Sequence, residues 1–188
     1  MRGRGVFGAV VAFGILAACS GGGSKAASPT TTTSSTTSTT STTIAVTTTT
    51  SPEDAVKQAY LDYWKMIDRL EAAPDPNDPE LPLRTVDPRL SATRDGLATS
   101  QAKGETVRTP PNGRYSHAVQ SVQVSASIAT VTDCSIDDQV QFDSAGNPID
   151  SAVTTKHYEA KLVFVDSLWK ISSVNIASQQ AGAQPCAA

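Results

Sequence analysis

The stretch Lys156–Ile176, KHYEAKLVFVDSLWKISSVNI, decides the fold of this chain. Its alternation of apolar and polar residues predicts two antiparallel strands joined by a tight turn at Asp166-Ser167. Five cross-strand pairs follow from the turn: Val165 with Leu168, Phe164 with Trp169, Leu162 with Ile171, Ala160 with Ser173, and Tyr158 with Asn175. The face formed by the last four pairs is apolar near the turn and polar at its far end. The opposite face, which we expect to meet water, carries His157, Glu159, Lys161, Lys170 and Ser172.

A hairpin with one apolar face needs a cover, and an amphipathic helix over Pro52–Ala72 is predicted to supply it. Ser51 is a suitable N-cap, and Pro52 suits the first turn of a helix. Apolar residues recur every three or four positions and form one stripe, which consists of Val56, Ala59, Tyr60, Tyr63, Trp64, Ile67 and Leu70.

The remaining segments predict helices first and strands afterwards. Residues 75–87 are proline-rich and are expected to be irregular, and a second helix is predicted over Pro88–Ala102, ended by Gly104. Strands are then predicted over Glu105–Thr109, Tyr115–Ser125 and Ile128–Phe142, the last interrupted near Asp137-Asp138. Helices followed by four or five antiparallel strands indicate the α+β class.

Residues 1–19 have the pattern of an export signal. Arg2 and Arg4 precede an apolar run, Val6–Leu16, which is too short to cross a bilayer and is typical of a secretory leader. The run ends in Leu16-Ala17-Ala18-Cys19, which resembles the lipobox of bacterial lipoproteins. The resemblance implies that residues 1–18 are a signal peptide and that lipidated Cys19 anchors the protein to the outer face of the bacterial cell membrane. The alternative is an ordinary secretory signal in which the cysteine occurs by chance.

Residues 19–50 are predicted to be a linker of low complexity. Between Thr30 and Thr50 every residue is Thr or Ser except Ile44-Ala45-Val46. Such a segment buries too little apolar surface to offset the entropy lost on ordering. It is either an O-glycosylated stalk or an unmodified tether, and composition allows both.

The charge and the missing motifs exclude several classes of function. Loss of residues 1–18 removes two arginines and no acidic residue, which takes the formal net charge from −3 to −5. A mildly acidic domain over residues 51–188 lacks the basic stripe that a nucleic-acid partner requires. The sequence also lacks a glycine-rich phosphate loop, a catalytic-triad spacing and a paired-carboxylate motif. We therefore expect neither a cofactor nor a nucleic-acid partner.

Two cysteines remain once Cys19 is assigned to lipid. Cys134 and Cys186 form an even pair in an oxidising compartment, which favours a disulfide between them. A Cys/His metal site is the competing interpretation. It fails because neither cysteine has a second Cys or His at ligand spacing, so we expect no metal.

The domain over residues 51–188 resembles the nuclear transport factor 2-like fold. The resemblance rests on the long capped first helix, the second short helix, and a sheet that closes on Leu168-Trp169-Lys170-Ile171. Within it, the segments Ala129–Cys134 and Lys156–Ala160 resemble small actinobacterial lipoproteins of that superfamily. The resemblance implies helices packed on a curved antiparallel sheet, forming a cone with a cavity at its wide end. Members include isomerases, dehydratases and proteins that only bind or dimerise, so the fold does not imply one function.

Asp133 is the first candidate for chemistry, because a carboxylate is disfavoured in the middle of a strand. It is either a general base or ligand hook in a cavity, or a carboxylate at a bulge or edge that caps backbone donors. We favour the second interpretation, since the sequence places no His or second acid beside it. His117 and His157 are expected on the surface or hydrogen-bonded within strands.

A candidate pocket combines aromatic residues of the first helix with polar residues of the closing hairpin. The aromatic residues could stack on a ligand, although such a stripe more often belongs to the core. Tyr158 and Asn175 lie at the end of the apolar face where a cone would open, or are simply exposed. The candidate set is Tyr60, Tyr63, Trp64, Asp133, Tyr158 and Asn175.

We rank three functions for the domain. The first is a non-catalytic, lipid-anchored module that binds a small apolar ligand or an envelope protein. The second is an enzyme of the isomerase or dehydratase type that uses Asp133. The third is a structural envelope component that dimerises through its sheet. Binding or structural roles rank above catalysis because no catalytic motif accompanies Asp133.

Overall fold

The computed structural model describes residues 50–186, and all predictions for residues 1–49, including the signal peptide, Cys19 and the linker, lie outside that range. The helices are α1 (Pro52–Ala72), α2 (Leu81–Arg84) and α3 (Arg89–Lys103). The strands are β1 (Thr106–Arg108), β2 (Ser116–Ser125), β3 (Ile128–Asp137), β4 (Val140–Phe142), β5 (Pro148–Asp150), β6 (Thr154–Val165) and β7 (Leu168–Ala181). The α+β class is therefore confirmed. Within this range none of the helices combines the length and hydropathy needed to cross a bilayer.

Helix α1 has the predicted bounds and the predicted cap. The Ser51 hydroxyl accepts a hydrogen bond from the backbone N–H of Asp54, and Pro52 occupies the first turn. Helix α3 ends at Gly104, whose φ of 67° is a left-handed conformation that glycine adopts without strain. The expectation that residues 75–87 are irregular is wrong in part, because Leu81–Arg84 forms the single turn of α2.

The strands form two antiparallel sheets. The larger has the order β2-β3-β6-β7, and the smaller has the order β1-β4-β5. The strand predicted over Ile128–Phe142 breaks near Asp138, as expected, but its second part leaves the larger sheet and pairs with β1. Strand β5 was not predicted, because its three residues follow a turn and are all exposed.

The closing hairpin confirms part of the predicted register. The turn at Asp166-Ser167 has positive φ at both residues, and the pairs nearest to it are as expected. The register then shifts between Ile171 and Ser173, which leaves Ser172 as an extra residue. The predicted pairs Ala160–Ser173 and Tyr158–Asn175 are wrong, since Ala160 lies opposite Val174 and Tyr158 opposite Ile176.

The core lies between α1 and the larger sheet. Helix α1 contributes more of its members than any other element, and the central strands β3 and β6 supply small and branched side chains. One-sided burial of this kind is the main stabilising contribution for a helix on a sheet. The buried apolar residues are Val56, Tyr60, Tyr63, Met66, Ile67, Leu70, Leu81, Leu97, Ala129, Val131, Ala160, Leu162 and Ile171.

The disulfide between Cys134 and Cys186 is confirmed. Cys134 is fully buried in β3, whereas Cys186 follows the end of β7. The chain after Ile176 continues as strand to Ala181, beyond the predicted hairpin. The disulfide therefore joins the carboxyl-terminal segment to a central strand of the larger sheet.

Candidate functional site

A buried carboxylate, Asp133, lies in the middle of the larger sheet. Its Oδ2 accepts a hydrogen bond from the Tyr60 hydroxyl at 3.0 Å and one from Nδ1 of His117 at 2.5 Å. The side chain is fully buried, and its Oδ1 has no hydrogen-bond partner among residues 50–186. The expectation that no histidine accompanies Asp133 is wrong, because β2 pairs with β3 and brings His117 to the same face.

His117 links this carboxylate to the hydroxyl of Tyr115. Because a carboxylate accepts only, Nδ1 donates to Asp133, and Nε2 lies 3.0 Å from the hydroxyl of Tyr115, which also hydrogen-bonds the carboxyl group of Asp68. The imidazole also stacks on the indole of Trp64, with ring centroids 4.2 Å apart and planes inclined by 19°. His117 is thus nearly buried and is not a surface residue. The bulge at Gln120, where the alternation of β2 breaks, aligns it with the core face.

A cleft of about 260 Å³ opens beside this network, between α1, the start of α3, the residue before β2, the end of β3, the first half of β6 and the middle of β7. Trp64 and Tyr158 contribute aromatic rings to its wall, with centroids 5.1 Å apart. Asp133 and His117 do not line it. The residues around the cleft are Trp64, Ile67, Glu71, Arg89, Tyr115, Asp137, Gln139, Lys156, Tyr158, Val174 and Ile176.

Two cations at the cleft already have partners. The Lys156 ammonium donates to Asp137 Oδ2 at 2.5 Å. The Arg89 guanidinium donates to the Tyr63 hydroxyl at 2.8 Å through Nε and lies over the ring of that tyrosine. Both side chains are therefore oriented by the fold before any ligand arrives.

Glu71 has the most perturbed carboxyl group at the cleft. Burial, followed by repulsion from Asp68 and Asp137, raises its pKa to about 7. Burial likewise raises the pKa of Asp68, and Oδ1 of Asp68 is buried without a hydrogen-bond partner among residues 50–186. Carboxyl groups perturbed in this way are more common at functional sites than elsewhere.

Three tyrosines around the network remain neutral. Burial is the main reason that the pKa of each phenol is raised, and nearby carboxylates add to the effect. The carboxylate that raises the pKa differs for each phenol. For Tyr60 it is Asp133, for Tyr115 it is Asp68, and for Tyr158 it is Asp137. These hydroxyls can therefore donate hydrogen bonds but cannot act as bases.

The structure brings together only part of the predicted pocket. Trp64 and Tyr158 line the cleft. Tyr60 and Tyr63 are fully buried in the core, and Asp133 lies beneath the cleft wall. Asn175 is exposed and lies opposite Glu159 on the outer face of the sheet, because the bulge at Ser172 reverses the alternation that follows it. His157 is partly buried opposite Cys134.

Sequence reasoning missed the charged residues of the cleft. Trp64, Asp68 and Glu71 are spaced by four and three positions, so they continue the aromatic stripe of α1 on one face. That spacing was an available signal. Arg89 and Lys156 had none, because only the packing of α3 and β6 against α1 brings them near Glu71. Across residues 50–186 the structure contains no cluster of His, Cys, Asp and Glu that could hold a metal ion.

Comparisons with known proteins reveal structural likeness only. No protein-family model matches the chain, and no curated protein matches it. The intermembrane space region of the chloroplast protein ARC6 is 23% identical, with a TM-score of 0.53, over 65% of this chain and 95% of that one. The Kfla4162 protein from Kribbella flavida is 15% identical, with a TM-score of 0.46, over 67% and 90% of the two chains. At these identities the ARC6 likeness concerns the fold and not the function.

Proposed function

We propose that this domain is a non-catalytic module of the bacterial cell envelope that binds a small molecule in the cleft. One observation carries the proposal: an open cleft combines apolar and aromatic walls with a few oriented polar groups. That combination is typical of small-molecule sites. The resemblance to the nuclear transport factor 2-like fold supports it, because that fold has a cavity at the wide end of its cone.

Binding is favoured over catalysis by the position of Asp133. Its side chain is fully buried, and both of its partners, Tyr60 and His117, lie on the core side of the cleft wall. A general base must reach the proton that it removes, directly or through one water. Only the hydroxyl of Tyr115 extends from this network to the cleft, and its raised pKa makes it a donor.

Native mass spectrometry tests the proposal on the full-length protein isolated from the organism that produces it. A mass difference that is lost on denaturation is expected. Ile176 and Ile149 provide a matched pair, since both are exposed, at 51% and 53%, and only Ile176 lines the cleft. Ile176→Ala should carry less ligand, and Ile149→Ala should carry as much as the unaltered protein. Absence of any bound mass would contradict the proposal.

The envelope location rests on the leader and needs its own experiment. Lipidation at Cys19 would place the protein in the membrane fraction and allow metabolic labelling with a fatty acid. Cys19→Ala should abolish the label and release the protein from the membrane. A protein labelled equally well after this substitution would show that another residue carries the lipid.

A second role, self-association, is favoured by apolar side chains that remain exposed at the turn end of the hairpins. A groove of about 570 Å³ between α1, α2 and β7 contacts this patch. Exposed patches of this kind commonly mark protein contacts. Analytical ultracentrifugation at increasing protein concentration should then reveal a dimer. Phe164→Ser should disrupt this dimer, and Ile149→Ser, the control, should not. A protein that stays monomeric at every concentration would contradict this role. The exposed residues are Ile128, Phe164, Val165 and Leu168 at the hairpin turns, together with Leu83 on the neighbouring helix α2.

A further inference from the structure

The charged side chains that line the cleft are two acids and two bases, but they pair unevenly. Lys156 and Asp137 form an ion pair and neutralise each other. The Arg89 guanidinium donates to the neutral hydroxyl of Tyr63, and it attracts the Glu71 carboxylate without forming an ion pair with it. The carboxyl group of Asp68, which does not line the cleft, repels that of Glu71.

Glu71 is the carboxylate that has no partner of its own. It makes no hydrogen bond and no ion pair with any residue between 50 and 186, although it is half-buried. It also borders two neighbouring cavities of about 270 and 220 Å³, so three cavities meet at its side chain. A half-buried charge without a partner is costly, and a bound cation would supply the missing partner.

The other walls of the cleft are suited to the same kind of ligand. Trp64 and Tyr158 present aromatic rings, which attract cations through their quadrupoles. Ile67 and Val174 add apolar surface beside the rings. A carboxylate combined with aromatic rings is a recurrent way to bind an amine or a quaternary ammonium group.

We propose that the ligand of this cleft carries an organic cation, held between the Glu71 carboxylate and the rings of Trp64 and Tyr158, next to an apolar group. The proposal rests on the binding function proposed above and names its ligand class. An anionic ligand would meet the unpaired charge of Glu71, while Lys156 is neutralised by Asp137 and the Arg89 guanidinium is held by the Tyr63 hydroxyl.

The pH dependence of binding follows from the groups that face Glu71. These are Asp68 on α1, Arg89 on α3, Tyr115 before β2, Asp137 on β3, and Lys156 and Tyr158 on β6. Burial and the two aspartates raise the pKa of Glu71 to about 7. A cation binds better to the ionised form, so its affinity should rise as the pH increases through that value.

The test uses fluorescence from Trp64. The chain has two tryptophans, and Trp169 lies at the turn end of the hairpin, outside the cleft. The full chain with Trp169→Phe and Cys19→Ser therefore reports on Trp64 alone, without a lipid. Titration with benzylammonium, benzyl alcohol and benzoate compares a cation, a neutral molecule and an anion that share one ring. Benzylammonium should bind about tenfold more tightly than either of the others.

Two substitutions test whether Glu71 is the source of the preference for benzylammonium. Glu71→Gln should remove the preference for benzylammonium and its pH dependence. Glu159→Gln is the matched control, because Glu159 is exposed on the outer face of β6 next to Tyr158, and it should change neither. The comparison of the three probes requires no substitution in the cleft itself, so it stands even if Glu71→Gln folds poorly.

Other outcomes separate this proposal from the binding function. Equal affinities, or the tightest binding by benzoate, would overturn the cationic ligand and leave a binding site. If none of the probes binds, the ligand released in native mass spectrometry decides: a cation supports the proposal, and a neutral or anionic molecule overturns it. No probe binding together with no native ligand would overturn both proposals.

Discussion

Asp133 combines the hydrogen bonds of a catalytic carboxylate with a position in the core. Its carboxylate accepts hydrogen bonds from Tyr60 and His117, and the pair with His117 has the geometry of a catalytic dyad. It is fully buried, however, and does not line the cleft. Its contribution is to hold α1, β2 and β3 together through a polar network that is specific in geometry.

Asp133→Asn tests this role. The amide replaces a charged acceptor with a neutral one, so the free energy of unfolding should fall by about 2 kcal/mol. Denaturant unfolding measures the change, and native mass spectrometry should still detect the bound ligand. Asp95→Asn is the control, since Asp95 is exposed on α3 and its loss should change stability by less than about 0.5 kcal/mol. Unchanged stability together with loss of the ligand would contradict the structural role.

Glu71 gives a second prediction at the level of one residue. Its pKa is raised from 4.5 to about 7, so the folded state binds a proton that the unfolded state releases between these values. Stability therefore falls as the pH rises through this range. After allowance for its partial exposure, Glu71→Gln should stabilise the protein by about 2 kcal/mol above pH 7 and have no effect below pH 4.5.

Denaturant unfolding at several pH values measures this difference. Glu159→Gln, at an exposed position on β6, should follow the unaltered protein at every pH. A loss of stability in Glu71→Gln above pH 7 would mean that the ionised carboxylate has a stabilising partner.

At the level of elements, one extra residue in β7 determines which side chains face the cleft. Ser172 is unpaired, and beyond it the strand alternation is reversed relative to a regular hairpin. Val174 and Ile176 thereby line the cleft, and Asn175 faces outward. A second register shift follows Ile176 and leaves Ala177 unpaired, so the reversed alternation is limited to the segment between the two extra residues.

Deletion of Ser172 should reverse this arrangement. Asn175 would turn toward the core, Val174 and Ile176 would turn outward, and the free energy of unfolding should fall by more than about 2 kcal/mol. Thermal unfolding measures the loss, and ligand binding should disappear with it. Deletion of Ser151, in the exposed connection before β6, is the control and should have a smaller effect. Equal effects of the two deletions would show that the register is free to adjust.

At the level of the whole molecule, the disulfide joins the carboxyl-terminal segment covalently to the larger sheet. It links Cys134 in β3 to Cys186 across 52 positions, so it restricts the unfolded chain over the whole of β4 to β7. Chain-entropy arguments for a loop of this length give about 4 kcal/mol of stabilisation. The domain therefore depends on an oxidising environment for much of its stability.

Reduction provides the corresponding prediction. The unaltered protein should lose about 4 kcal/mol of unfolding free energy in a thiol reductant. Cys134→Ala with Cys186→Ala should be less stable to the same extent and should not respond to the reductant. A double variant as stable as the oxidised protein would show that the polar and apolar contacts of β3 suffice.

The sequence by itself determined the α+β class, the bounds and cap of α1, the turn at Asp166-Ser167 and the pairing of the two cysteines. Each of these depends on local propensity, on a period of apolar residues, or on a count of residues. Such signals act between near neighbours in the chain and can be recognised without knowing how distant segments meet.

Only the tertiary structure decided the composition of the site. His117 contacts Asp133 because their strands pair. Arg89 and Lys156 line the cleft because α3 and β6 pack against α1. The extra residue Ser172 turns Asn175 outward. A bulge requires no particular residue type, so it cannot be recognised in the sequence. Contacts between residues far apart in the chain also produce no periodic pattern of apolar residues. The elements were therefore predictable from local chemistry, whereas the side chains that share a cleft were set by which faces of those elements pack together.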